Sequence, residues 1–451
     1  MRRIGRRAKI LAVVIVYFLT CSTVFLVRYA KDGSGWVVHP ANQNVYANGE
    51  LKEGGTILSA DGTELFSLEN GYADGETLRK ATLHAVGDKS DSINTGVIKT
   101  NKAKLIGYDF INGVFQPFEG GTQITLTLDA DTCRAAYNAL GSRKGTVGVY
   151  NYKTGEIICM VSKPSFDPEN VPDLSGKAYE GVYVNRLTGG VYTPGSVFKL
   201  VTAAAAIDTI PNLYSRTFTC KGGTTIGGEW IKCSGNHGNV DFATALAHSC
   251  NAAFAELSVE IGKETLAEYA AKSGVGKQFS INGVDTSMGK FRVENAAAAE
   301  LAWAGIGQYT DLVNPMGYMI YMGAVANGGR AVTPYYIKEI KTAYGLPQYF
   351  HFPSKEGRML SEETAASLKS LMRNAVKVEY GESGFSGMEL CAKTGTAEVD
   401  DGAPHAWFTG FLDREDTPLA FVVVVENGGS GKGTALPVAR TVLQTALKAF
   451  E

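Results

Sequence analysis

The stretch Tyr192 to Ala206, which reads Tyr-Thr-Pro-Gly-Ser-Val-Phe-Lys-Leu-Val-Thr-Ala-Ala-Ala-Ala, permits few folds. Pro194 and Gly195 punctuate the chain, and Ser196 suits an N-cap or a first helical turn. The alanine-rich run behind it has high helix propensity and almost no polarity, so the helix has to be packed on every side. A helix without a polar face belongs at the centre of a sizeable domain. At 451 residues and 45% hydrophobic content, the chain can build one large domain and a smaller one around it.

A serine at the start of such a helix lies beside unpaired backbone N–H groups. A lysine three residues on projects from the same face. Ser196 and Lys199 therefore read as a nucleophile and its base, the lysine accepting a proton only when neutral, which desolvation or a nearby cation favours. A helix cap beside a snorkelling lysine is the bland reading of the same pair. Ser287-Met288-Gly289-Lys290 repeats the spacing, but its internal glycine and the following Phe291-Arg292-Val293-Glu294 describe a surface turn.

A net charge of −2 gives no reason to invoke nucleic acid. The one dense basic cluster is Arg2, Arg3, Arg6, Arg7 and Lys9, ahead of the uncharged run Ile10 to Val27, which Arg28 and Lys31 close. About eighteen apolar residues can span a bilayer. Residues 1–32 read as a basic tail and a single-pass membrane anchor, with the tail cytoplasmic and everything after Arg28 outside the cell membrane. A cleaved signal peptide would need small residues at a cut site, and a lipidated Cys21 is poorly served by Phe18-Leu19-Thr20.

Residues 33–121 form a small spacer whose clearest element is a β-hairpin from Gly54 to Leu65 around Asp61-Gly62. Glu119-Gly120-Gly121 marks its end, and 122–451 is the main domain. There Ile124 to Leu128 alternates as a strand, Asp129 opens a helix through Leu140, and Gly145–Tyr150 with Glu156–Val161 make a hairpin. Alanine-rich helices Phe242–His248 and Ala252–Ile261 flank Ser249-Cys250-Asn251, a polar triplet that is costly between buried helices unless it has partners. Further helices are read at Glu300–Ile306, Met316–Ala326, Glu362–Lys377 and Leu436–Phe450. Three successive strands carry Lys393-Thr394-Gly395-Thr396, Ala406–Phe411 and Leu419–Val425 as an antiparallel sheet. Gly395 allows another backbone to approach, which suits an extended peptide adding beside it.

Seven cysteines show no Cys-x-x-Cys pairing. Cys220 and Cys233 bracket a glycine-rich loop and read either as a disulfide or as free thiols. His237 follows closely, but two cysteines and one histidine are an incomplete ligand set, so no metal is expected, and no cofactor.

Ser196-x-x-Lys199, Ser249-x-Asn251 and Lys393-Thr394-Gly395 occur in this order, 53 and then 144 residues apart. Together they resemble the penicillin-binding protein and serine β-lactamase superfamily. Asn185-Arg186, Thr193-Pro194-Gly195, Gly305-Ile306-Gly307-Gln308, Asn327-Gly328-Gly329 and Thr396-Ala397-Glu398 match as well. The likeness runs from about Gln123 onward and is greatest to the transpeptidase domain of class B penicillin-binding proteins, which are anchored by one span and lie outside the cytoplasm. It implies an α/β (α+β) fold: a five-stranded antiparallel sheet flanked by helices, a helical subdomain, and a small β-rich pedestal before them.

The resemblance also implies a reaction. Ser196 attacks the carbonyl between two D-alanines of a peptidoglycan stem peptide, Lys199 is the base, Ser249 relays a proton with help from Lys393, and Asn251 holds the donor's backbone. Lys393, Thr394 and Thr396 bind the terminal carboxylate, and the N–H groups of Ser196 and Thr396 form the oxyanion hole. β-Lactam antibiotics acylate the same serine. A SEDS-family glycosyltransferase enters as a partner of the pedestal, although the spacer is short for the family and there is no room for the glycosyltransferase domain of class A members. A D,D-carboxypeptidase differs only in the acyl acceptor. A β-lactamase would need a water-activating segment such as Glu-x-x-Leu-Asn, which is missing, and a non-enzymatic β-lactam sensor would need more than a short basic tail inside the cell.

Overall fold

A computed structural model of the chain describes all residues except Met1, Asn44, 48–49, 52–53, Asn112, 115–120, Pro353 and Glu451. Helix α1 (Arg2–Val37) contains the uncharged run, and within Gly5–Val37 an 18-residue stretch reaches a mean hydropathy of 2.7 with none of that stretch buried, so it is long and apolar enough to cross a membrane. Strands β1 (Thr56–Leu58) and β2 (Glu64–Ser67) pair as the expected hairpin, β3 (Gly71–Tyr72) extends it, and α2 (Glu76–Val86) follows. Next come β4 (Gln123–Leu126), α3 (Ala130–Leu140) and the hairpin of β5 (Gly145–Asn151) with β6 (Ile157–Lys163). Asp129 caps α3 by accepting from the Thr132 N–H at 2.7 Å.

The central segment holds α4 (Lys199–Thr209), then β7 (Thr217–Cys220), β8 (Gly223–Ile226), β9 (Glu229–Lys232) and β10 (Gly238–Asp241). Its later helices include α5 (Phe242–Ala247), α6 (Asn251–Ile261), α7 (Ala298–Gly305) and α8 (Pro315–Ala326). The C-terminal part adds β11 (Ile337–Lys341), β12 (Pro347–Phe350), α9 (Glu362–Ala375), β13 (Leu390–Ala397), β14 (His405–Leu412), β15 (Leu419–Val425) and α10 (Leu436–Lys448).

Two sheets organise these elements. The five-stranded antiparallel sheet runs β13-β14-β15-β5-β6, with α3 and α10 on one face and α8 on the other. Every residue of β5, β6 and β15 is buried, which is why Leu419–Val425 reads as an unbroken apolar run instead of alternating. Helix α8 is buried at every position, as its sequence without a polar face requires.

The second sheet runs β12-β11-β4-β1-β2-β3, and in it β1 pairs parallel with β4. This sheet and one continuous core cross the boundary expected at 121/122; Glu119 and Gly120 lie outside the described residues. Arg79 of α2 adds a bidentate bond to Asp167 beyond β6, both contacts at 2.7 Å. The spacer is thus joined to the main domain through hydrogen-bonded strands and shared apolar packing.

Candidate active site

Helix α4 is buried from Lys199 to Ala206, and Ser196 precedes it in a 3-10 turn, Gly195–Val197. Three neighbours hold that turn. The Gly195 N–H donates to the Gly307 carbonyl at 2.8 Å, Tyr318 of α8 donates to the Val197 carbonyl at 2.6 Å, and the Trp407 indole N–H donates to the Thr193 carbonyl at 3.0 Å. Gly195 and Gly307 both have positive φ, +56° and +81°, and a Cβ on Gly307 would lie 2.0 Å from the Gly195 carbonyl oxygen. Only glycine fits there.

Strand β13 is the outer strand of the five-stranded sheet and lies against the same turn. A Cβ on Gly395 would meet the Pro194 carbonyl oxygen at 2.8 Å and Val197 Cγ1 at 3.0 Å. The backbone that Gly395 admits against its face is the Ser196 turn. The Thr394 N–H points away from β14, since it donates to the Tyr380 hydroxyl at 3.0 Å. Strand alternation turns the Thr396 N–H to the same free edge. A Cβ on Gly195 would meet the Thr396 carbonyl oxygen at 2.5 Å, which brings that edge beside Ser196.

Ser249 joins the other two motifs. It sits between α5 and α6 with φ of +57°, an unfavourable backbone for a serine. Its hydroxyl oxygen lies 3.2 Å from the Lys199 amine and 3.0 Å from the Lys393 amine. Lys199 also donates to the Ser249 carbonyl and to Asn251 Oδ1, each at 2.6 Å, and Lys393 to the Thr394 carbonyl at 3.0 Å. The Asn251 amide donates to the Lys232 carbonyl at 2.7 Å. The Ser196 hydroxyl, half-buried, makes no hydrogen bond among the described residues.

Both lysines are fully buried, and among the described residues no carboxylate forms an ion pair with either amine. Burial pushes Lys199 down to about 8, the thiols of Cys233, Cys250 and Cys220 opposing it weakly. Burial and then the charge of Lys199 hold Lys393 well below the usual lysine range. Two amines sharing one hydroxyl can exchange a proton through it, because a serine O–H donates once and accepts twice. Thr394 and Thr396 share one face of β13 at its solvent side, Thr394 with its hydroxyl 3.1 Å from that of Tyr380 and Thr396 exposed.

Several contributors lie outside the sequence motifs. Tyr380 fixes Thr394, and Glu379 reaches His248 Nδ1 at 2.6 Å, next to Ser249. Glu426 accepts from Arg186 Nε at 2.7 Å and from the Tyr192 hydroxyl at 2.9 Å, anchoring the loop ahead of Ser196. Nothing local marks Glu379 or Glu426, because their partners His248 and Arg186 lie 131 and 240 residues away. The Arg186 and Glu426 side chains keep only 7% and 20% of their accessible surface. Arg186→Ala should therefore strand Glu426 and cost about 3 kcal/mol, read as a lowered midpoint in urea unfolding.

The second Ser-x-x-Lys copy, Ser287 and Lys290, stands outside any helix with the lysine exposed. All seven cysteines are free thiols, so the Cys220–Cys233 disulfide is not formed. The Cys220 thiol turns to the Gly235 carbonyl at 3.5 Å and Cys233 Sγ lies 3.5 Å from His237 Nδ1. Cys250, inside the Ser249 triplet, brings a further thiol to this group and completes a four-donor set that the expectation of no metal left out.

Comparison with known proteins identifies the family. Residues 145–444 match the penicillin binding protein transpeptidase domain. The chain is 27% identical to the peptidoglycan D,D-transpeptidase PbpA of Mycolicibacterium smegmatis, over 98% of each protein. It superposes on the D,D-transpeptidase domain of a peptidoglycan glycosyltransferase from Eggerthella lenta with a TM-score of 0.76 and 27% identity, covering 88% of this chain and 99% of that one. The ceftriaxone acyl-enzyme of penicillin-binding protein A from M. tuberculosis superposes with a TM-score of 0.75 at 23% identity, covering 88% and 98%. The three motifs meet in one site on the fold that these proteins share, and the chain belongs to the penicillin-binding protein transpeptidase family, in its class B.

Proposed function

We propose that this chain is a peptidoglycan D,D-transpeptidase that works through an acyl-enzyme on Ser196 and is inhibited covalently by β-lactams. The observation that carries the reading is the Ser249 hydroxyl, held between the Lys199 and Lys393 amines at 3.2 and 3.0 Å beside the Ser196 turn. Neutral Lys199 takes the Ser196 proton as Oγ attacks the carbonyl carbon of the penultimate D-alanine. The resulting oxyanion accepts from the N–H groups of Ser196 and Thr396, worth about 3 kcal/mol per donor. Ser249 then gives its proton to the leaving nitrogen and regains one from a lysine, the C–N bond breaks, and D-alanine departs.

An amine of a neighbouring stem attacks the ester, loses its proton back along the same relay, and leaves a new amide and a free serine. Lys393, Thr394 and Thr396 hold the donor's terminal carboxylate, where a cation and two hydroxyls match an anion. Gly395 seats that strand on the Ser196 turn. Asn251 Oδ1 is engaged by Lys199, so its hold on the donor backbone requires the amide to shift when substrate enters.

Helix α1 anchors the protein in the membrane with its basic N-terminus in the cytoplasm and 122–451 outside. Residues 33–121 act as the pedestal. A SEDS-family glycosyltransferase, which would supply glycan strands to be joined, is the partner that this reading assigns to the pedestal.

Full-length protein given a stem pentapeptide donor and a D-amino-acid acceptor should release D-alanine and form the exchanged peptide. Hydrolysed tetrapeptide alone would make it a carboxypeptidase. Lys199 acts as base when neutral, so the rate of acylation by penicillin should rise about tenfold per pH unit below pH 7, bend near 8 and level off above 9. A profile flat from pH 6 to 9 would remove Lys199 as the base.

A further inference from the structure

The donor atoms of Cys220, Cys233, His237 and Cys250 all lie within 4.8 Å of one another, and the three cysteines are buried. Three thiols and an imidazole at one point are the ligand set of a closed structural zinc site. Tetrahedral geometry with Zn–S near 2.3 Å and Zn–N near 2.05 Å spaces sulfur from nitrogen by about 3.6 Å and sulfur from sulfur by about 3.8 Å. Cys233 Sγ and His237 Nδ1 are 3.5 Å apart.

The backbone converges on this point from three directions. Strand β10 pairs with β7 so that Gly238 faces Cys220, which brings His237 alongside that cysteine. The β8–β9 hairpin pairs Gly223 with Lys232, and the Cys233 N–H donates to the Gly222 carbonyl at 2.9 Å, which closes the loop between Cys220 and Cys233. Cys250 enters as the N-cap residue of α6. The outer contacts suit a bound thiolate and a fixed ring: the Asn251 N–H donates to Cys233 Sγ at 3.1 Å, and the His237 ring stacks on His248 with centroids 5.5 Å apart and planes within 3°.

We propose that Cys220, Cys233, His237 and Cys250 bind one structural Zn²⁺ that clamps the Ser249–Asn251 turn. Binding displaces three thiol protons to solvent, and neutral His237 contributes Nδ1, leaving one net negative charge on the filled site. Cys250 lies between the residue that bridges Lys199 and Lys393 and the residue that Lys199 bonds, so a metal there holds the left-handed backbone of Ser249 in place. This positioning role rests on the reaction proposed for Ser249; metal binding itself does not.

The test is metal analysis of the full-length protein, purified in detergent with reductant and no chelator. Wild type and Cys21→Ser should each carry about one zinc per chain, and a Cys220→Ser/Cys250→Ser double variant less than about a tenth of that. Should the double variant not fold, native wild type decides. Its Cys220, Cys233 and Cys250 should alkylate at least about tenfold faster after zinc is stripped by a chelator. Wild type that stays zinc-free after dialysis against zinc, alkylation indifferent to the chelator, or a mapped Cys220–Cys233 disulfide would each overturn the site. Loss of penicillin acylation with zinc retained would count against the reaction proposed for Ser196 and not against the metal.

Discussion

Ser196→Ala is expected to end covalent labelling by fluorescent penicillin while the full-length protein keeps its thermal midpoint within about 2 °C. The two halves of that expectation have separate origins. Acylation requires an oxygen at the head of α4 beside the N–H groups of Ser196 and Thr396, and alanine supplies none, so the loss should reach about 10⁶ in rate. Folding requires the turn, and the turn is held by Gly307, Tyr318 and Trp407 through the backbone of Thr193, Gly195 and Val197. The serine hydroxyl adds no hydrogen bond to that frame. Full labelling of the alanine variant would dismiss Ser196 as the nucleophile, and a mass shift mapped to another serine would name its replacement.

Lys199→Met should separate catalysis from stability in the opposite sense. The acylation rate should fall by about 10²–10⁴ for want of a base. Stability at pH 7 should hold or rise, because methionine fills similar volume without a desolvated charge. A lysine whose value falls from 10.5 unfolded to about 8 folded penalises the native state fully below about pH 8. That penalty fades as pH rises from 8 toward 10.5, where the unfolded chain also loses its proton. The variant's advantage should therefore be largest near pH 7 and shrink toward pH 10, with about 1–3 kcal/mol returned for the unpaired Ser249 carbonyl and Asn251 oxygen. Urea unfolding at three pH values reads both terms. An advantage that grows with pH would contradict a buried, strained cation.

Much of this architecture was legible because it is local. The all-apolar helix behind Ser196, the hairpins of β1–β2 and β5–β6, and the run Leu419–Val425 each declare themselves within a dozen residues through period and turn chemistry. Three motifs, each weak alone, gained force from order and family resemblance, and Ser249, Lys199 and Lys393 do meet. What stayed hidden was non-local. Glu379 and Glu426 act on partners far away in the chain, and neither carries a signal of its own. The sequence does not show that Pro194 and Val197 close on the face of Gly395. Cys250 was read with Ser249 and Asn251 as one polar triplet, although its thiol turns toward Cys220 and Cys233. Lys199 shares a face with Ser196 in sequence terms, yet its amine is held by Ser249 and Asn251, a choice made by packing and not by spacing.

The parallel pairing of β1 with β4 sets where this protein can be cut. A fragment begun at residue 122 would keep β11 on one side of β4 and leave Gln123, Ile124 and Thr125 without the strand that pairs them as Thr56, Ile57 and Leu58. Ile124 is fully buried in the intact chain. The trimmed product would carry a raw apolar edge, the kind of surface on which identical chains stack into aggregates. For expression work, the fragment to choose is the one that keeps everything after helix α1.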